Sequence, residues 1–279
     1  MRKHYVLLFF LCSFSLSAQT FDIGAFTGGA FYSGDLNKNK LDNYLQFLHS
    51  ANGAFVRWNQ GLVSFKLGFN ITKLSGDDLV GPYPDRQLHF RTNLFELALT
   101  TQINLLRWEP SKYTAIEPYI FGGLAMYQFD PEAKYNGTWI RLQPLGTEGQ
   151  GLVGFESPYE LTQLAIPYGA GVKFELSRKI SLSFEFGARK LFTDYLDDIG
   201  GTAISYEALS RGNGPVAAEL SFPFVDPAKA EGGSPLRRGN KKSDGYFIGG
   251  VSLVYTFDWS KSAAYKNSIN RFICPSFKK

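Results

Sequence analysis

Ile180-Ser181-Leu182-Ser183-Phe184-Glu185-Phe186-Gly187-Ala188-Arg189 decides the fold. Apolar residues fall on every second position, and small or charged residues fill the gaps. That period of two marks a strand with two unlike faces. The same alternation runs from Leu164 through Ile166, Tyr168, Ala170, Val172, Phe174 and Leu176, opposite Gly169, Gly171, Lys173 and Glu175. It returns near the C-terminus with Phe247, Val251, Leu253, Tyr255, Phe257 and Trp259 on one face. Extended outward, the pattern predicts eight strands near 21–33, 51–59, 62–71, 89–105, 115–128, 163–176, 180–193 and 245–259.

The predicted connections alternate in length. Short ones follow the second, fourth and sixth strands, and long ones cover 34–50, 72–88, 129–162 and 194–244. A membrane barrel has short turns at one end and long loops at the other, because all its strands cross one slab. The expected fold class is therefore all-β, an eight-stranded antiparallel transmembrane barrel in the outer membrane with both termini periplasmic.

The two faces carry the reason for placing the apolar rows outside. The polar rows are rich in Gly169, Gly171, Ser181, Ser183 and Gly187, and hold both signs in Arg57, Lys66, Glu96, Lys173, Glu175, Glu185 and Arg189. Small residues make room in a narrow lumen, and mixed charges pair there. Lipid offers no hydrogen bonds, so a spanning sheet must close on itself. An eight-stranded interior is filled by side chains, so no open channel is expected. Tyr32, Trp58, Tyr127, Phe257 and Trp259 are candidates for the membrane interfaces.

Composition agrees. The 279 residues hold 16% aromatics, 19% charged residues and 29 glycines, which suits strands and turns. No basic patch is interleaved with stacking aromatics, so nucleic acid is not an expected partner. Arg2, Lys3 and His4 precede an apolar run from Val6 to Phe14, then Ser15, Ser17 and Ala18, the layout of a signal peptide over 1–18. Removing Arg2 and Lys3 leaves 27 of the 29 basic residues against 25 acidic ones. Cys274 is then alone, too few for a disulfide or a zinc cluster. The expected organisation is signal peptide 1–18, barrel 19–259 and a basic periplasmic tail 260–279. The tail has no acidic residue and carries Lys261, Lys266, Arg271, Phe272, Lys278 and Lys279, which suits an acidic partner surface.

Two strand ends carry a resemblance. The first finishes Gly28-Gly29-Ala30-Phe31-Tyr32-Ser33-Gly34-Asp35-Leu36-Asn37, and the seventh finishes Thr193-Asp194-Tyr195-Leu196-Asp197-Asp198-Ile199-Gly200-Gly201-Thr202. Together they resemble the PorG-like outer-membrane barrels of the type IX secretion system. Ala203 departs from the family pattern, which favours an aromatic there. The resemblance implies a non-catalytic, cofactor-free component of the secretion apparatus. It also implies contact with a periplasmic ring made of a lipoprotein and its partner protein, besides outer-membrane lipid. A stand-alone barrel serving adhesion or envelope stability is the alternative.

Chemistry is sparse. The mature chain has only His49 and His89, and His89 lacks a serine in a recognisable nucleophile setting, which disfavours an outer-membrane lipid hydrolase. Asp194, Asp197 and Asp198 do not match a calcium-loop spacing and read as turn caps, as do Asp77 and Asp78.

Overall fold

The computed structural model describes residues 20–36, 45–80, 83–111, 114–229, 233–239 and 243–258. The signal-peptide region, the basic tail and Trp259 lie outside them.

Eight strands form the wall: β1 (Thr20–Ser33), β2 (His49–Gln60), β3 (Val63–Asp77), β4 (His89–Asn104), β5 (Thr114–Gln128), β6 (Thr162–Glu175), β7 (Ile180–Leu191) and β8 (Gly245–Asp258). Each pairs antiparallel with its neighbour in sequence, and β8 pairs with β1 to close the ring. The hydrogen-bonded row from Phe21 passes Trp58, Phe65, Thr101, Gly122, Tyr168, Ala188 and Phe247. It returns to β1 at Phe31, ten residues beyond its start. Eight strands with a shear of ten tilt about 40° and leave a lumen only wide enough for side chains.

Closure removes every edge of the wall, and the turns follow from local chemistry. Between β2 and β3 the chain reverses in two residues, and Gly61 takes a left-handed φ of 62° that a side chain would resist. Ser177 Oγ accepts from the backbone N–H groups of Lys179 and Ile180 and tightens the β6–β7 turn. The β4–β5 connection adds the short strand Trp108–Ser111 against β5.

The alternation expected from sequence holds around the ring. Exposed outward residues include Phe65, Leu67, Phe69 and Ile71 on β3, Phe95, Leu97 and Leu99 on β4, and Phe184 and Phe186 on β7. Between them Ser64, Glu96, Thr100, Ser181 and Ser183 are buried. One strand runs longer than its sequence suggests. β3 continues past Ile71 to Asp77, with Thr72, Leu74 and Gly76 still facing in. Its outward row turns polar at Lys73 and Ser75, which hides the continuation from a reading based on apolar residues.

The lumen is filled. Arg57 Nη2 meets Asp22 at 2.6 Å, Lys66 meets Glu185 at 2.6 Å, and Arg189 Nε meets Glu96 at 2.9 Å. Phe121 packs where side chains at Gly169 and Gly187 would be, and Phe55 where one at Gly24 would be. A void of about 30 Å³ beside Phe55, Phe121 and Glu185 has room for one water.

Candidate functional site

The long loops at one end fold into a cap over the barrel mouth. The loop from β5 to β6 carries a hairpin, Pro131–Tyr135 with Thr138–Arg141, that extends the sheet from β4. The loop from β7 to β8 carries two helices, α1 (Tyr206–Gly212) and α2 (Pro215–Ser221). Ser205 caps α1 by accepting from Ala208 N, and Pro215 opens α2 where no N–H is needed. Ile204, Tyr206, Leu209, Ala217, Ala218 and Phe222 form an apolar core of their own, packed against Leu145, Leu152, Phe155 and Val225. The cap is thus a packed unit.

Two arginines stitch the loops together, Arg86 half-buried and Arg238 buried. Arg86 donates to both oxygens of Asp78 at 2.7 Å, to Asp35 O at 3.1 Å and to the carbonyl of Arg238. Three loops meet on that one guanidinium. Arg238 donates to Thr147 Oγ1 at 2.8 Å and to Asp198 O at 2.6 Å, and its Nε lies 3.4 Å from Glu148 Oε1. Glu148 in turn accepts from the N–H groups of Gly200 and Thr202. Burial pushes the Asp78, Asp198 and Glu148 carboxyls up, and the neighbouring guanidinium opposes the rise at each.

The two sequence motifs meet here. Tyr32 OH is hydrogen-bonded to Asp197 and, at 3.0 Å, to Asp244, its one proton serving a single bond at a time. A side chain at Gly34 would occupy the space of that Tyr32 hydroxyl and of Asp244 Oδ1, so glycine keeps the junction open. Asp35 is buried beside it, and Gly239 leaves room for its carboxylate. Asp244 Oδ2 accepts from Leu196 N, and Leu196 is fully buried. Burial drives the carboxyls of Asp197 and Asp244 well above the ordinary range, and for Asp244 the nearby Asp197 and Asp194 add to it. Tyr195 stacks on Tyr159 at 4.9 Å, Tyr159 on Phe129, and Phe129 on Tyr127, an aromatic column from loop to lumen.

Several expectations change. Tyr32 and Tyr127 are not interfacial aromatics; both point inward and are buried. Trp58 and Phe257 do face outward, and Trp58 stacks on Phe65 at 5.8 Å. Asp197 caps Ile199 N as a turn residue would, but Asp197 and Asp198 are also the hubs of the buried network. Asp77 caps Leu79 N, whereas Asp78 is an ion-pair partner. Arg238, Glu148, Tyr159 and Asp244 had no sequence signal, because each finds its partners dozens of residues away.

No metal-binding group of His, Cys, Asp or Glu occurs among the described residues. His89 Nε2 accepts from Lys134 N, and His49 Nε2 lies 2.7 Å from Ser75 Oγ. No carboxylate hydrogen-bonds either ring among the described residues. Lys261, Lys266, Arg271, Phe272, Lys278 and Lys279 lie outside the described residues. On the cap surface a cleft of about 510 Å³ is lined by Tyr83, Arg86, Phe222, Phe224 and Arg237.

The wall as a whole has the inverted polarity of an outer-membrane-type barrel, apolar outside and charged within. The sequence pattern of the family described as "Domain of unknown function (DUF6089)" matches residues 1–218. That span ends inside α2, so β8, Arg238 and Asp244 lie beyond it. No curated protein matches the chain. Among solved structures, Neisserial surface protein A is 9% identical with a TM-score of 0.41, over 86% of this chain and 98% of that one. The attachment invasion locus protein Ail of Yersinia pestis, in complex with the heparin analogue sucrose octasulfate, is 9% identical with a TM-score of 0.39, over 86% and 100%. The N-terminal β-barrel domain of Pseudomonas aeruginosa OprF is 11% identical with a TM-score of 0.35, over 85% and 97%.

Proposed function

The chain belongs to the DUF6089 family, and from that premise we propose that it is an integral outer-membrane barrel serving as a non-catalytic component of the type IX secretion apparatus. The observation that carries the membrane part is the wall. Large apolar side chains such as Leu99, Leu124 and Leu164 are more than half exposed, while Glu96 and Arg57 are sealed inside. Such a surface is stable only against hydrocarbon. The outward apolar belt rises about 25 Å at this tilt, which matches a bilayer core.

With the long loops outside the cell, the short turns and both termini are periplasmic, the usual arrangement of such barrels. The ring proteins, a lipoprotein and its partner, would then meet the turn end and the basic tail 260–279. Support for the secretion role is the resemblance carried by Gly34-Asp35 and Asp194–Asp198, whose residues converge on one buried junction with Tyr32. The turn end is itself charged and built. Arg107 meets Glu175 at 2.7 Å and also Glu109 and Glu117, beside Lys173.

A stand-alone barrel for adhesion or envelope stability is favoured by one feature, the packed cap with its own core, which presents a fixed surface outward. Affinity capture from detergent-solubilised outer membranes separates the two. Recovery of ring proteins, reduced when residues 260–279 are deleted, is the expected result. Clean recovery of the barrel alone, with secretion intact in a deletion strain, would leave only the second reading.

A further inference from the structure

On the outer wall, β1 and β2 share a seam that is both small and polar. On β1 and β2 the outward row reads Ala25, Ala54, Thr27, Asn52, Gly29 and Ser50. Thr27 Oγ1 donates to Asn52 Oδ1 at 3.0 Å, and both side chains are exposed on the exterior. Ten residues of shear spread over eight strands move level positions by a little more than one residue per strand. On that count Asn52 is level, within about one residue, with Ile71, Leu97, Leu124, Ile166, Ala188 and Gly249. Above that level Phe95, Met126 and Leu164 are still apolar and exposed on β4, β5 and β6, further round the ring. If the belt meets hydrocarbon, as the proposed function holds, the Asn52 amide lies inside it. Its oxygen is satisfied by Thr27, but its two N–H groups face lipid, which accepts nothing.

We propose that the β1–β2 seam is the contact between two copies of this chain, related by a two-fold axis along the membrane normal. The orientation of the barrel is fixed by the membrane, so such an axis brings every residue opposite its own counterpart at the same depth. An amide is both donor and acceptor, so Asn52 of one copy meets an acceptor in Asn52 or Thr27 of the other. A partner of different sequence would need its own polar group at that depth. The patch is uncharged, so self-contact meets no repulsion. Its small side chains let two walls approach closely, as small residues do between membrane segments.

The test uses the full chain in native outer membranes with Cys274→Ser as background. Under a mild oxidant, Asn52→Cys and Ala54→Cys each give a product of twice the barrel mass. Ile166→Cys, at the same depth on the opposite strand β6, gives at least tenfold less. Adding Asn52→Leu to Ala54→Cys lowers the yield about tenfold while the protein still sediments with membranes, since the lost amide contacts are worth roughly that factor. Equal yields at Ala54 and Ile166, a product of another mass, or an Ala54→Cys yield unmoved by Asn52→Leu would each overturn the proposal. These failures leave a membrane-embedded barrel in place, whereas recovery of the protein in the soluble fraction would defeat the membrane reading as well.

Discussion

Glu96 is the residue whose removal tests the lumen hardest. Its carboxylate is fully buried and accepts four hydrogen bonds, from Arg189 Nε at 2.9 Å, Arg189 Nη2 at 3.1 Å, Asn70 Nδ2 at 2.9 Å and Tyr246 OH at 2.7 Å. Arg189 is 5% exposed, and its Nη1 spends its bond on Gly187 O. Glu96→Ala therefore leaves a guanidinium in a space with no spare solvent, because the lumen void holds about 30 Å³. Breaking a buried pair on one side destabilises by about 3–5 kcal/mol. Replacing both partners, as Glu96→Met with Arg189→Met, removes the orphan charge and keeps volume, so it restores most of that loss. Urea unfolding of the barrel in detergent micelles measures both variants against the parent. A Glu96→Ala loss below about 1 kcal/mol, the scale of a solvent-exposed pair, would mean that water reaches the pair. The filled-lumen account, and with it the absence of a channel, would then fail.

Three further outcomes follow from the wall and the cap. Leu99→Arg, near mid-height on the outer face, should impair membrane insertion by about 2–4 kcal/mol, while Arg at the exposed loop residue Leu79 should be tolerated; membrane-fraction yield and heat-modified gel mobility report the difference. Cap protection should fall as pH rises. Asp197 and Asp244 hold their protons above the ordinary carboxyl value of 3.8, so the folded cap binds protons that the unfolded chain has released. Stability is then fully present at acid pH and declines from about 3.8 upward toward the raised folded values. Hydrogen-exchange protection of residues 194–199, corrected for intrinsic rate, should show that slope, and Asp244→Asn should flatten it; an opposite slope refutes the shared burial. Gly34→Ala should displace the Tyr32 hydroxyl from Asp244, costing about 1–3 kcal/mol of cap stability and raising protease cleavage in the 192–244 loop with the barrel intact.

The wall was legible because its information is local. A period of two needs only neighbouring residues, and Ile180 to Arg189 states both faces without help from the rest of the chain. The pairing partners and the closure followed from loop lengths and from the ban on open edges in lipid. Failures came where parity was ambiguous. Phe31 and Tyr32 are adjacent aromatics at a strand end, and only pairing to Phe247 and Tyr246 shows that the first faces out and the second in. β3 was cut short at Ile71 for a related reason, since above the apolar belt its outward row is polar and the strand no longer looks amphipathic.

The cap illustrates the opposite limit. Arg86 and Arg238 lie 152 residues apart and are joined by one guanidinium-to-carbonyl bond. Tyr32 reaches Asp244 across 212 residues. Nothing in the spacing of these residues announces such contacts, and a charge in a long loop ordinarily reads as solvated. What the sequence did mark was the pair of motifs around Gly34-Asp35 and Asp194–Asp198, and those are the segments that must fit each other without slack. A glycine whose added methyl would strike a tyrosine hydroxyl is under a steric demand, and an aspartate buried against a second aspartate is under an electrostatic one. Residues under such demands have little room for replacement, whereas nothing around Arg86 or Arg238 in the sequence points to the loops they tie together. The cap is therefore best understood as a closed mouth tied by long-range polar bonds around an apolar core of its own, over a wall held by backbone ladders. Damage to either should leave the other standing: Gly34→Ala should loosen the mouth in a barrel that still inserts, and Leu99→Arg should hinder insertion without entering the mouth's bonding network.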